Sequence, residues 1–409
     1  MNSYSLTNDL ILEILSRLPA ESVARFHCVS KRWASTLDSP NFKELFLTKS
    51  SAKSLLLFAI EEEGIWSFFS SPQLENPYEK SSSTLVAAAA FHVKFSPDNL
   101  RINHYYDLRY FSIGYASGLI YIYGNRHQAR PVICNPNTGR YAILPYRYTY
   151  RKAYSFFGFE PIDKQYKVLS MAYPCGPGHD KVLTFGAGDM TWRRIKCSLR
   201  HDAYSEGVCI NGVLYYLGDT SDCYTDGHDV TSRYVIVCFD LRSEKFTFIG
   251  VERSCGLINY KGKLAVIFWE DDDDFYSEDG DAELRVWVLE DVEKHEWSKY
   301  AYTWTNGKFF RRQVSMVGVT TSGDIVFSMR KYTSEEPFYV FYLNPERKTL
   351  QRVEIQGFGE VFKETCSVCT FVNHVQNRNV NHLKLLKSDH PPLVEPEYYE
   401  SLQSESDSE

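Results

Sequence analysis

A repeat constrains this chain more than any other feature. An apolar strand, usually opened by Gly, recurs as Gly118-LIYIY, Tyr166-KVLSM, Gly212-VLYYL, Gly262-KLAVI and Gly323-DIVFS, at offsets of 48, 46, 50 and 61 residues. After each come a variable loop, a second apolar strand, a polar turn and a third strand. The later hairpins read VICNPNTGRYAIL, VLTFGAGDMTWRRI, VCFDLRSEKFTFI, VWVLEDVEKHEWSKY and VFYLNPERKTLQRVEI, with turn-forming Asn, Asp, Gly, Pro or charged residues between apolar runs. A lone sheet of this kind leaves apolar faces in water, so neighbours must stack on it. A period of roughly 45–50 residues suits β-propeller blades, whose radial packing buries both faces and leaves little open edge. A β-sandwich array is the competing architecture. SLLLFAI and GIWSFFS, partly completed by AAAFHVKF, make an irregular first blade, and the late strand CSVCTFVNHV returns to pair with it and close the ring. The expectation is an antiparallel β-propeller-like domain of about six blades over residues 52–380.

Residues 1–47 follow another rule. Leu10, Ile11, Ile14, Leu15 and Leu18 recur at helical spacing, with Thr7 as a candidate N-cap and Pro19 as the stop. Val23, Phe26, Val29, Trp33 and Leu37 continue in a second helical pattern that ends at Asp38-Ser39-Pro40. The fold class is therefore α+β but mainly β, with a small helical module in front of the β domain. About forty residues are marginal alone, so the module gains from packing on a partner. Beyond residue 381 the chain turns polar and ends in ESLQSESDSE, which reads as a disordered acidic tail over 381–409.

Composition narrows the function classes. With 44% hydrophobic and 15% aromatic residues, the 409-residue chain can bury a full core. It lacks a run of about 18 apolar residues and a basic, apolar leader, so the expectation is a soluble cytoplasmic or nuclear protein that uses no membrane. A net charge of −7 with scattered Lys and Arg opposes nucleic acid as a partner. The ten cysteines are read as free, buried thiols.

Independent chemistry is hard to assemble from these residues. Cys366, Cys369, His374 and His382 have the residue types of a zinc site, but the spacing of the histidines is wrong for a finger and the segment reads as a strand. The acidic run from Asp271 to Asp274, with Glu278, Asp279 and Asp281, lacks EF-hand spacing and reads as a solvated loop. PCGPGHD and TFGAGDM read as turns, and no GxSxG, P-loop or HExxH pattern is present. The expectation is no catalytic residue, no metal and no cofactor.

The segment LTNDLILEILSRLPAESVARFHCVSKRW resembles the F-box of plant proteins. Asp9, Leu10, Glu13, Ile14, Leu15, Arg17, Leu18, Pro19, Ser22, Arg25, Val29, Ser30, Lys31 and Trp33 fall on its pattern, and Thr7 departs from its usual Pro. CNPNTGRYAILP, GFEPIDKQYKVL, TWRRI, NGVLYYL and EIQGFGE with TFVNHVQN are similar to the F-box-associated, kelch- or propeller-like domain that follows in such proteins. The resemblance implies a non-catalytic substrate-recognition subunit of a Skp1–cullin–F-box ubiquitin ligase. It would bind a Skp1-like protein, and through it cullin and RING subunits, by Leu10, Ile11, Ile14, Leu18, Pro19, Val29 and Trp33. The β domain would hold a target protein for ubiquitination. Tyr105, Tyr106, Arg109, Tyr146, Arg147, Tyr148, Tyr150 and Arg151 are candidate contacts, because Tyr and Arg are favoured anchors on loops. Two other readings compete: a propeller-fold metal-dependent oxidase with a vestigial F-box, which calls for His, Tyr and Cys ligands, and a Skp1-binding scaffold outside any ligase.

Overall fold

A computed structural model describes residues 8–18, 23, 25–26, 28–39, 41–42, 45–46, 54–62, 65–74, 85–95, 111–124, 131–145, 153–172, 180–185, 190–221, 232–269, 282–292, 294–304, 314–360 and 362–375. The acidic insertion, the polar tail and all eight candidate target contacts lie outside these residues.

Among the described residues the strands form six sheets. Blade one contains Leu55–Glu62, Ile65–Pro72 and Ala90–Phe95, and blade two Phe111–Ala116, Leu119–Gly124, Val132–Cys134 and Tyr141–Ile143. Blade three contains Ala153–Glu160, Gln165–Ala172, Lys181–Phe185 and Arg193–Arg194. In blade four the inner strand is broken into Asp202–Ala203 and Val208–Ile210, followed by Val213–Asp219, Tyr234–Asp240 and Lys245–Val251. Blade five runs through Gly256–Tyr260, Lys263–Trp269, Ala282–Asp291 and Glu296–Trp304, and blade six through Val314–Val319, Ile325–Met329, Phe338–Asn344 and Thr349–Gln356. The glycine-opened strands of the repeat are thus the second strand of their blades. Each is preceded by an inner strand that the repeat did not reveal.

Strand alternation explains why the sheets close into a ring. In Leu55–Glu62, Leu56, Phe58 and Ile60 enter the core shared with blade six, whereas Leu57 and Ala59 enter the core shared with blade two. Likewise Leu214 and Tyr216 face blade three, while Tyr215 and Leu217 face blade five. The remaining cores join blades two with three and five with six, so every blade is sandwiched and blade one meets blade six. Six such cores, each apolar on both walls, define a six-bladed β-propeller.

Closure uses strands from both ends of the domain. Cys366–His374 pairs antiparallel with Leu55–Glu62 and becomes the inner strand of blade one, as the sequence led us to expect. Leu85–Ala88 crosses the other way and adds in parallel to the outer edge of blade six, beside Thr349–Gln356. AAAFHVKF does complete blade one, through Ala90–Phe95 paired with Ile65–Pro72, while the strand just before it makes this second exchange. Rings of Phe58, Phe69, Phe338, Phe358, Phe362 and Tyr332 meet edge to face over this seam, at centroid distances from 5.1 to 6.3 Å.

The turns follow from the residues at their tips. Asn211-Gly212 has φ of 48° and 84°, both left-handed, and joins strands paired at Ile210↔Val213. Glycine is needed there because a two-residue hairpin of matching twist takes positive φ at both positions. Asp240 closes the next turn type, its Oδ1 accepting from the Ser243 N–H at 2.6 Å. Between blades three and four, the buried Lys167 Nζ donates to the Leu241 carbonyl at 2.6 Å and to Glu244 Oε1 at 2.8 Å. Arg193 donates to both oxygens of the same carboxylate at 2.7 and 3.0 Å.

Two buried histidines set a pH dependence. Burial depresses His201 to about 4, against the hydrogen bond to the Leu199 carbonyl, which acts the other way. Burial, with His92 nearby, depresses His374 to about 3. Both are neutral when folded. The unfolded chain takes up protons as pH falls through 6.5, so their stabilising contribution is present above that pH and lost on the way down to the folded values. We expect the denaturant midpoint to drop between about pH 7 and pH 5, and His201→Gln to flatten that slope. A variant slope identical to that of the wild type would show that His201 is not held neutral.

Candidate functional site

The first helix, α1 (Asn8–Leu15), explains its own sequence stripe. Five apolar positions within less than three turns span more than one helix face, so the stripe divides. Leu15 is buried with Val23, Leu37, Phe42 and Phe46, and Ile11, Leu12, Leu18 and Trp33 pack half-buried against that core. Leu10 and Ile14, one turn apart, remain 51% and 50% exposed. Glu13 and Arg17 pair at 2.7 Å across the next turn, with the acid N-terminal as α-helices prefer.

The second pattern divides in the same way. The helix α2 (Lys31–Leu37) is capped by Ser30, whose hydroxyl accepts from the Trp33 N–H at 3.2 Å. Leu37 turns inward, whereas Val29 is 64% and Phe26 36% exposed, with the Phe26 and Trp33 rings 5.5 Å apart.

The sequence-based partner contacts therefore fall into three groups. Leu10, Ile14 and Val29 stand on the surface, and Ile11, Leu18 and Trp33 serve the internal core while keeping part of their surface open. Pro19 lies outside the described residues. The helical pattern alone groups Phe26 with the buried Val23, yet its ring is exposed beside Val29 and adds to this surface. So many large apolar side chains left in water on a module this small make a surface suited to burial against another protein.

The propeller offers a second surface. Inner strands begin and second strands end on one rim, while the tight turns at Asn211-Gly212 and Ser243 lie on the other. The connections from second to third strand in blades two to five, 124 to 132, 172 to 181, 219 to 234 and 269 to 282, start from the first rim. Described residues on it include Tyr204, Asp219, Arg233 and Tyr234 of blade four, with Arg330 of blade six.

Cys366 enters the core between blades one and six, whereas Cys369 packs against the core between blades one and two, so the two thiols leave opposite faces of their strand. His374 is committed elsewhere, with Nδ1 3.0 Å from the Tyr115 hydroxyl and Nε2 3.3 Å from Asn137 Oδ1. Burial pushes Cys366 up to about 12 and Cys369 well above its ordinary value, which keeps both thiols protonated. His382 lies outside the described residues. Among the described residues no three His, Cys, Asp or Glu side chains are grouped to hold a metal ion, and no helix is long and apolar enough to cross a membrane.

Comparison with known proteins agrees with this division of the chain. Residues 4–45 match the F-box domain, and residues 55–375 match the F-box associated beta propeller domain. F-box protein At2g16450 of Arabidopsis thaliana is 71% identical over 98% of this chain and 100% of its own length. Putative F-box protein At2g16220 of the same plant is 70% identical over 100% and 99%, and F-box protein At1g47340 is 57% identical over 95% and 86%. With both regions matched in order and near-complete coverage of these relatives, the chain belongs to the F-box proteins that carry an F-box associated β-propeller domain.

Proposed function

We propose that this protein is the substrate-recognition subunit of a Skp1–cullin–F-box ubiquitin ligase, acting in the cytoplasm or nucleus. The helical module binds a Skp1-like protein, and the propeller holds a target protein so that ubiquitin is transferred to it by the partners. The observation that carries this reading is the set of apolar side chains that the module leaves outside its own core: Leu10, Ile14, Phe26 and Val29. Ile11, Leu18 and Trp33 shape that surface from beneath, and Pro19 is part of the proposed contact on the family pattern alone. The adaptor itself needs no nucleophile or cofactor, because holding a target near a charged enzyme raises its effective concentration.

The test is purification of the tagged chain from plant cells with the proteasome inhibited, beside a chain lacking residues 1–47. The intact chain should bring down Skp1-like, cullin and RING subunits, and the shortened chain none of them. Target proteins should accumulate on the shortened chain. Recovery of the Skp1-like protein without cullin would support a scaffold outside a ligase instead.

A further inference from the structure

Blade four carries an aromatic and cationic cluster at the loop-bearing rim. Asp219 ends the second strand, Tyr234 begins the third, and the two are direct cross-strand partners. Tyr204 follows the short strand Asp202–Ala203, anchored by its N–H to the Leu217 carbonyl at 2.7 Å. The rings of Tyr204 and Tyr234 meet edge to face at 5.4 Å, and the Arg233 guanidinium lies over the Tyr234 ring at 5.1 Å.

Charge in the cluster is distributed unequally between inside and outside. The Asp219 carboxylate is largely covered, at 16% side-chain exposure, and accepts from the Ser221 N–H at 2.8 Å and from the Ser221 hydroxyl. Arg233 touches it through one nitrogen at 3.4 Å while remaining 60% exposed. The partly covered acid meets one nitrogen of the guanidinium, and the cation's other donors face water. Tyr204 beside it is 50% exposed, although its backbone is tied into the sheet. Rigid Tyr and Arg side chains on a fixed backbone lose little entropy on binding, which is why such residues dominate interface energetics.

The geometry points to this cluster as a docking point for a target segment that presents a carboxylate next to an aromatic or aliphatic side chain. The carboxylate takes the free edge of Arg233, a charge-assisted contact, and the apolar neighbour packs on the open face of Tyr204. The inference rests on the adaptor reading for its biological meaning, but the surface itself is tested separately.

The probe is a displayed random-peptide library, selected on the full chain together with its Skp1-like partner. Enriched peptides should share an Asp or Glu adjacent to an apolar residue. Arg233→Glu and Tyr204→Ala should each weaken them by roughly 30-fold, the size of an interface hot spot. Changing the peptide acid to its amide should cause a similar loss, and Tyr204→Phe should retain most of the binding. Both side chains are exposed, so unchanged melting of the variants serves as the folding control. Should either variant misfold, Arg233→Gln and competition by the soluble peptide give the same readout.

Failure to enrich any peptide, peptides without an acid, peptides indifferent to Arg233→Glu, or binding only to phosphorylated peptides would each overturn the inference. Skp1 association measured on the same samples separates the two claims. If it persists without patch-dependent peptides, the docking point is wrong and the adaptor reading stands. If it fails while the peptides depend on Arg233, the adaptor reading fails and the docking point stands.

Discussion

Removing everything after residue 355 should abolish the cooperative unfolding transition of the propeller. The lost segment carries Phe358, Phe362, Cys366 and Val368, all buried in the core between blades one and six. It also carries Cys369 and Phe371, which pack against the core between blades one and two. Full burial of one large apolar side chain contributes about 1.5–3 kcal/mol, so Phe358, Phe362 and Val368 together reach the lower part of the 5–15 kcal/mol by which a whole domain is stable. Blade one would in addition expose the strand edge of Leu55–Glu62, a template for aggregation. The measurement is calorimetric unfolding and soluble yield, with Val368→Asp in the full-length chain as a milder companion. Wild-type melting of the shortened chain would falsify closure by the late strand.

The second large effect is expected at the helical module. Leu10→Asp with Ile14→Asp should weaken association with a Skp1-like protein by at least about 100-fold, because two apolar side chains lose burial and two carboxylates are forced toward an apolar surface. Since both positions are about half exposed in the free chain, the module should stay folded. Leu15→Asp provides the contrast, placing a charge in the core formed with Val23, Leu37, Phe42 and Phe46, and should unfold the module outright. In both cases the propeller should keep its own transition, because its cores share no residue with that of the helices. If the double variant co-purified at wild-type yield, Leu10 and Ile14 would not be part of the docking surface. If it lost the propeller transition as well, the substitutions would be acting through general folding.

Much of the ring was legible because its signal is local. A Gly-opened apolar strand is visible at Gly212 or Gly262 since the turn demands positive φ and the strand, buried on both faces, reads as a continuous apolar run. The inner strands were not legible for the opposite reason. In blade four the inner strand breaks between Ala203 and Val208, too short for a period to appear, and it is fixed by pairing rather than by its own pattern. The crossing of Leu85–Ala88 to blade six was hidden for a related cause, since LVAA and the adjoining AFHVKF differ in which edge is open to them, not in composition.

At the candidate site, periodicity located the apolar stripe but not its division. Leu10 and Leu15 are equally apolar and helical, and only the position of Phe42, Phe46 and Leu37 decides that one is covered and the other is not. The rim cluster shows the same limit more sharply. Tyr204 and Tyr234 are thirty positions apart and meet through strand register, which no local spacing encodes.

The pairing of Leu55 with His374 also sets an order of events during synthesis. The helical module leaves the ribosome early with a core built from residues 11–46, whereas the ring stays open until its last strand has been made. On the adaptor reading, a nascent chain is competent for its ligase partner before it is competent for its target. A chain that stops short of Cys366 would occupy the ligase arm and deliver nothing to it. Expressed beside the intact protein, such a fragment is expected to compete for the Skp1-like subunit and to lengthen the lifetime of the target in proportion to its dose. A fragment that left target turnover unchanged while occupying the partner would show that ligase arms are in excess.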